Sequence, residues 1–362
     1  MPTQSPISSV LPPLILGTAG FTYQFNEDPH KLPAVRMIET ALTKGIRAFD
    51  TSPYYGPAEE ILGAALKAQS KFERSSYFLQ TKVGRIAEAE FDYSPAWIRK
   101  SVARSCERLG TDYLDTVLCH DVEFVSGAEV VEAVRTLREF KKEGKIRYVG
   151  ISGYPVDVLA EMARKVKGET GEGLDVVFSY GNYTMQNTLL GGKIQEMVDA
   201  GVEVVLNGSP LGMGLLREVG VPVGSMGDFH PAPKGLRQRC LEAGQGVKQR
   251  GAGRLELVAL RWALETWGRE GAVVGSGGPI LAQKGEGARE VTLSRKFGVT
   301  VAGGSLVEEV EELLALWKDV VEDEERKEVY KSVIDGFGTD WKDYAWASPG
   351  DGFVRSSPKD RA

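Results

Sequence analysis

The sequence predicts a parallel α/β chain closed into a (β/α)8 TIM barrel, and three observations predict it. Seven short, nearly all-apolar runs alternate with helix-period segments, the pattern of a parallel sheet buried on both faces. Ionisable residues stand at the C-terminal ends of several of these runs, where barrels of this kind gather their functional groups. The first strand-to-helix turn, Gly17-Thr18-Ala19-Gly20, lacks the G-x-G-x-x-G fingerprint of the rival doubly wound sheet.

The strand runs, in order, are Leu14–Thr18, Arg47–Asp50, Tyr77–Lys82, Tyr113–His120, Tyr148–Ser152, Val176–Tyr180 and Val202–Asn207. Between them, apolar residues recur at helical spacing over Ala34–Lys44, Glu59–Ala68, Pro95–Leu109, Glu129–Glu143, Pro155–Lys167 and Leu189–Ala200. Two segments qualify as the eighth strand, Gly271–Gly275 and Gly298–Ala302. The second is preferred, because Gly303-Gly304-Ser305 and an amphipathic helix, Leu306–Val320, follow it. Residues 272–297 then become an insertion before the last strand, and Gly275-Ser276-Gly277-Gly278 reads as loop. Residues 211–250 and the tail from about 336 read as irregular. The expectation is a single barrel domain over residues 1–362.

Composition narrows the function. At 42% hydrophobic and 26% charged residues, the chain can bury a large core. A net charge of −6, without a basic cluster, argues against a nucleic-acid partner. Three separated cysteines fit free thiols in a reducing compartment, and three histidines leave little for a metal site. The apolar run Val10–Leu16 is broken by Pro12 and Pro13, and no run of about 18 apolar residues suits a membrane span. A cytoplasmic protein, monomer or homodimer, acting on a small molecule is expected.

Residues 47–60, Arg-Ala-Phe-Asp-Thr-Ser-Pro-Tyr-Tyr-Gly-Pro-Ala-Glu-Glu, carry the chemistry. Asp50, Lys82 and His120 end the second, third and fourth strands, and Tyr55 follows the second by five residues, so all four face one rim. A free tyrosine, with pKa about 10, is a poor proton-transfer group at neutral pH. A neighbouring ammonium favours its phenolate, Asp50 can pair that ammonium, and His120 can orient a substrate oxygen. Each residue alone would be an ordinary structural group; four at one rim favour catalysis. Cys119 falls on the opposite strand face from His120 and is not a candidate nucleophile.

Asp50, Tyr55, Lys82 and His120, in the contexts Phe-Asp-Thr-Ser-Pro-Tyr-Tyr-Gly, Thr-Lys-Val-Gly and Leu-Cys-His-Asp, resemble the catalytic tetrad of the aldo-keto reductases. The resemblance runs from about residue 14 to 320. Within that superfamily, Thr-Lys-Val-Gly-Arg-Ile, Arg-Ser-Cys-Glu-Arg-Leu, His-Asp-Val-Glu-Phe-Val and Gly-Ile-Ser-Gly-Tyr-Pro are similar to the NAD-dependent D-arabinose 1-dehydrogenase and L-galactose dehydrogenase group.

The resemblance implies a nicotinamide cofactor. It implies Thr18 among the cofactor contacts, with Ser152 and Ser179 near the carboxamide. It implies Ser209, Leu211, Gly212 and Leu215 along the pyrophosphate, and Gly303, Ser305, Glu308 and Glu309 around the adenosine. Many relatives carry Asn at Gly153, Gln at Ser179 and a stacking aromatic at Gly208. Residues 304–309 contain no base, and Glu309 would repel a 2′-phosphate, so NAD is expected over NADP. Both acids also suit the first turn of a helix. In the tail, Trp341, Tyr344 and Trp346 are candidates for a sugar pocket. The expected reaction is oxidation of an aldose at C1 to the aldonolactone, D-arabinose first, with L-galactose or L-fucose oxidation or NADPH-linked aldehyde reduction as alternatives. A non-catalytic nicotinamide-binding subunit is the alternative from another class.

Overall fold

The computed structural model describes residues 4–222, 227–283, 288–291, 295–320 and 324–356. Eight parallel strands close a barrel: β1 (Leu14–Gly17), β2 (Ala48–Asp50), β3 (Phe78–Val83), β4 (Leu114–Cys119), β5 (Ile146–Gly153), β6 (Val176–Tyr180), β7 (Val204–Gly208) and, last, β10 (Val299–Gly303). β10 lies between β7 and β1, so the segment preferred as the eighth strand closes the barrel. In the rival segment, Gly271–Gly275, residues Gly271–Val274 form a turn of 3-10 helix. Between it and β10, β8 (Ile280–Gln283) and β9 (Ala288–Val291) form an antiparallel hairpin outside the barrel. Within the expected insertion, 284–287 and 292–294 lie outside the described residues.

Alternation along each strand builds two cores. Ile15, Ala48, Phe78, Leu118, Val176, Phe178, Val204, Leu206, Val299 and Val301 fill the barrel interior. Ile7 and Leu11, from and just after the short helix Ile7–Val10, join that cluster and plug one end. Residues of opposite parity, such as Leu79, Val117, Val149, Val177 and Val205, pack against the surrounding helices. Helices Ala34–Lys44 and Pro95–Leu109 have the bounds that their spacing predicts. Each ends at a left-handed glycine, Gly45 (φ 117°) or Gly110 (φ 64°).

One expectation is corrected. Residues 211–250 are not irregular throughout: Lys234–Gln249 is a helix burying Leu236, Cys240, Gly244 and Val247. Its apolar stripe is one residue wide and interrupted by glycines, which hides the period. A further helix, Leu255–Glu270, follows and supplies Trp262 and Trp267 to the core. The tail forms the helix Glu324–Gly336, a short turn Gly338–Trp341, and then an irregular run with turns to Ser356. Among the described residues, no helix is long and apolar enough to cross a membrane.

Candidate active site

Parallel pairing places Asp50 beside Gln80 and Lys82 beside Leu118, so the strand ends rise around one rim. Lys82 Nζ donates to both carboxylate oxygens of Asp50 at 2.9 and 2.8 Å and to the Thr51 carbonyl at 3.0 Å. Gln80 Nε2 adds a bond to Asp50 Oδ1 at 2.8 Å. Both ions are almost fully buried. Burial opposes the charge on Lys82, but the neighbouring Asp50 and Tyr55 outweigh it and hold the ammonium above its ordinary range. The Nζ atom sits 4.8 Å from the centre of the Tyr55 ring. Burial pushes the Tyr55 phenol up to about 12, while the Lys82 charge pulls it down.

His120 follows β4, and its ring meets Tyr55 and Tyr54 edge-on at 5.8 and 5.7 Å. Its Nδ1 lies 3.1 Å from Ser52 Oγ, and its Nε2 lies 3.5 Å from Asp121 Oδ2. Burial drives its pKa down to about 3, only partly opposed by Asp121, so the ring is neutral at physiological pH. The Tyr93 hydroxyl donates to the His120 carbonyl at 2.6 Å and fixes the backbone there.

These groups open onto a cavity of about 670 Å³. Its wall includes residues that the sequence did not single out: Gln24, Arg85, Asp121, Asp228 and Phe229. Arg85 pairs with Asp121 and lies over the Tyr54 ring at 3.9 Å. The signal for this trio was weak, since each member sits on a different loop and Asp121 is held in the left-handed region (φ 57°). Of the three tail aromatics, Trp346 lines the cavity and stacks on Tyr154 at 4.5 Å, whereas Trp341 and Tyr344 pack on each other beneath. Glu123 Oε1 accepts from the Tyr154 amide and the Ser348 hydroxyl, both at 3.0 Å, and so ties the tail to the barrel.

The residues expected at a cofactor divide into three groups. Ser152, Ser209 and Gly303 line the cavity. Thr18, Ser179 and Leu215 are buried away from it: Thr18 Oγ1 donates to the Asp50 carbonyl, Ser179 Oγ accepts from Asn182, and Leu215 joins the outer core. Leu211, Gly212, Ser305, Glu308 and Glu309 lie outside the cavity lining, in the loop after β7 and at the helix after β10. The Glu309 carboxylate accepts from the Ser305 and Leu306 amides at 2.6 and 3.2 Å, the helix-capping role. A base does approach it from the loop after β7: Arg217 Nη2 is 4.0 Å from Glu309 Oε1.

Two glycines that depart from the expected pattern have a steric reason. A Cβ on Gly208 would fall 2.1 Å from the Phe178 ring, which occupies that side-chain space from β6 and faces the cavity. A Cβ on Gly153 would fall 2.5 Å from Glu123 Oε2.

A model of the Aldo/keto reductase family matches residues 13–334. The D-arabinose 1-dehydrogenase of Saccharomyces cerevisiae is 41% identical over 266 residues, 72% of this chain and 78% of that protein. The L-galactose dehydrogenase of Arabidopsis thaliana is 38% identical over 64% of this chain and 70% of that protein. Among solved structures, the holo form of aldo-keto reductase AKR11C1 from Bacillus halodurans superposes with a TM-score of 0.60 at 20% identity, covering 92% of this chain and 95% of that one, a likeness of fold. With the closed barrel and the paired strand-end groups, these matches establish that the chain belongs to the aldo/keto reductase family, oxidoreductases that act on CH–OH or aldehyde groups with nicotinamide cofactors.

Proposed function

We propose that the protein oxidises an aldose at C1 to its aldonolactone with NAD, and that D-arabinose, giving D-arabinono-1,4-lactone, is its best substrate. The observation that carries this reading is the make-up of the cavity. Gln24, Arg85, Asp121 and Asp228, which carry hydrogen-bonding groups, share its wall with the aromatic residues Tyr54, Phe229 and Trp346. A sugar presents the matching surface, hydroxyls around its edge and C–H groups on its faces. The likeness to a D-arabinose 1-dehydrogenase supports the choice of sugar, and the L-galactose relative keeps that aldose as the alternative.

The residues present fit a nicotinamide. The Phe178 ring, which fills the space above Gly208 and faces the cavity, offers a flat face; Ser152 in the same lining would serve the carboxamide and Ser209 the pyrophosphate. Gly303 in the same lining would stand toward the adenosine half of the dinucleotide. A bound nicotinamide would supply the hydride acceptor for C1. Tyr55 takes the proton of the C1 hydroxyl. The Lys82 charge stabilises the phenolate this requires, and Asp50 keeps Lys82 charged and fixed. His120, neutral, donates to the same oxygen and sets its direction.

The preference for NAD rests on Glu309, whose charge would oppose a 2′-phosphate. Arg217 beside it favours the second reading, NADP. Initial rates with D-arabinose and L-galactose, each with NAD and NADP, beside Tyr55→Phe, test the whole reading. Turnover of D-arabinose that is lost in Tyr55→Phe is expected; cofactor binding with no aldose turned over would overturn it.

A further inference from the structure

Ser52 stands two residues beyond Asp50 and is 1% exposed, outside the four-residue constellation. Its hydroxyl oxygen accepts from the Tyr54 amide at 3.1 Å and lies 3.1 Å from Nδ1 of His120. The amide has only a proton to give, so it takes one lone pair of the oxygen and leaves the Ser52 proton to be placed. Among the described residues, the one further partner of that hydroxyl is the His120 nitrogen. On the far side of the ring, Asp121 Oδ2, itself paired with Arg85, is 3.5 Å from Nε2.

We propose that Ser52 is a positioning residue that sets the tautomer of His120, donating its hydroxyl proton to Nδ1 so that the ring proton resides on Nε2. In this arrangement the Tyr54 amide has its acceptor on Ser52 and the Ser52 hydroxyl has its acceptor on Nδ1, and Nε2–H is left directed to the cavity, near Asp121. The opposite tautomer fails at both ends. Nδ1–H would face Ser52 and leave the serine proton without an acceptor. Nε2 would then present a lone pair to a carboxylate oxygen and could not donate to a substrate. The imidazolium is disfavoured by burial. His120 therefore enters the reaction as a neutral donor with a fixed direction, prepared before substrate arrives.

The inference deepens the catalytic reading above and rests on it for its consequence, but the tautomer can be read without turnover. The chain has three histidines, His30, His120 and His230. Selective 15N labelling of the imidazoles, with His30→Gln and His230→Gln to assign the remaining signal, reports which nitrogen of His120 is protonated in the free protein. At neutral pH the Nε2–H form is expected, with Nδ1 at a hydrogen-bonded acceptor position. Ser52→Ala should displace that Nδ1 resonance or let the Nδ1–H form appear. It should also lower kcat by roughly five-fold, the worth of one hydrogen bond, with KM nearly held. An Nδ1–H or imidazolium His120 in the unmodified protein, or an Nδ1 resonance unmoved by Ser52→Ala, would overturn the assignment. A protein that shows the expected tautomer and yet turns over no aldose would keep it and sink the reaction instead.

Discussion

Glu123 occupies the side-chain space of Gly153: its Oε2 stands 2.5 Å from where a Cβ on that glycine would be. The carboxyl is pressed between β5 and the tail, with Oε1 bonded to the Tyr154 amide and Ser348. The departure at Gly153 is therefore half of an exchange, in which a neighbouring loop supplies the polar group that the strand end lacks.

The first prediction follows from that contact. Gly153→Ala should destabilise the fold by about 1–3 kcal/mol, because a buried side chain must move to admit the methyl group. Gly153→Ala combined with Glu123→Ala should recover most of the loss. Urea denaturation of the two single variants and the double variant reads the coupling, and additive losses would contradict it.

Glu123 also carries a pH signature. Burial, and then the Asp121 charge, raise its carboxyl to about 8. A carboxyl whose folded pKa lies above its unfolded value binds more protons when folded. Its stabilisation is whole below about 4.5 and is lost as pH climbs through about 8. Stability measured from pH 5 to 9 should therefore decline more steeply in the parent than in Glu123→Gln. Parallel curves for the two proteins would remove the effect from Glu123.

Lys82 opposes the burial that raises the Tyr55 phenol, so its loss moves that group further upward. In Lys82→Met, the limb of the oxidation rate that rises with pH should shift to higher pH, and the rate at pH 7 should fall roughly 10²-fold or more. The same change strands Asp50 as an unpaired buried carboxylate, at a cost of about 3–5 kcal/mol. Adding Asp50→Asn should restore stability without restoring rate. Thermal melts beside the pH–rate profile separate the two outcomes.

Arg217 and Glu309 face each other with opposite charge at the helix after β10. Arg217→Ala should weaken NADPH more than NADH, and Glu309→Gln should tighten NADPH by roughly five-fold while keeping the caps on Ser305 and Leu306. Dissociation constants for both dinucleotides would show it. Equal shifts for the two would place the 2′ position elsewhere.

What the sequence made legible was what a strand's own period records. Asp50, Lys82 and His120 end apolar runs, and the register of a closed barrel brings such ends together whatever the loops do. The same alternation also places Ser179 on the opposite face from Phe178 and Tyr180, and it lies outside the cavity that they line. Partners that meet through loops left no period to read. Arg85, Asp121 and Tyr54 come from three turns, and Arg217 reaches Glu309 from a distant stretch of the chain. The helix Lys234–Gln249 was hidden for a different reason, since Gly235, Gly244 and Gly246 interrupt the stripe of Leu236, Cys240 and Val247.

The irregular run after Trp341 lines the cavity and anchors beyond it, where Arg355 pairs with Glu129 and Ser356 bridges to Glu90. These residues follow β10, so during synthesis they leave the ribosome after every strand of the barrel has been made. The machinery for moving a proton is thus assembled from early sequence, and the wall bearing Trp346 and Ser348 is fitted last. A chain ending just beyond β10 would carry every strand of the barrel and lack the wall that Trp346 and Ser348 supply.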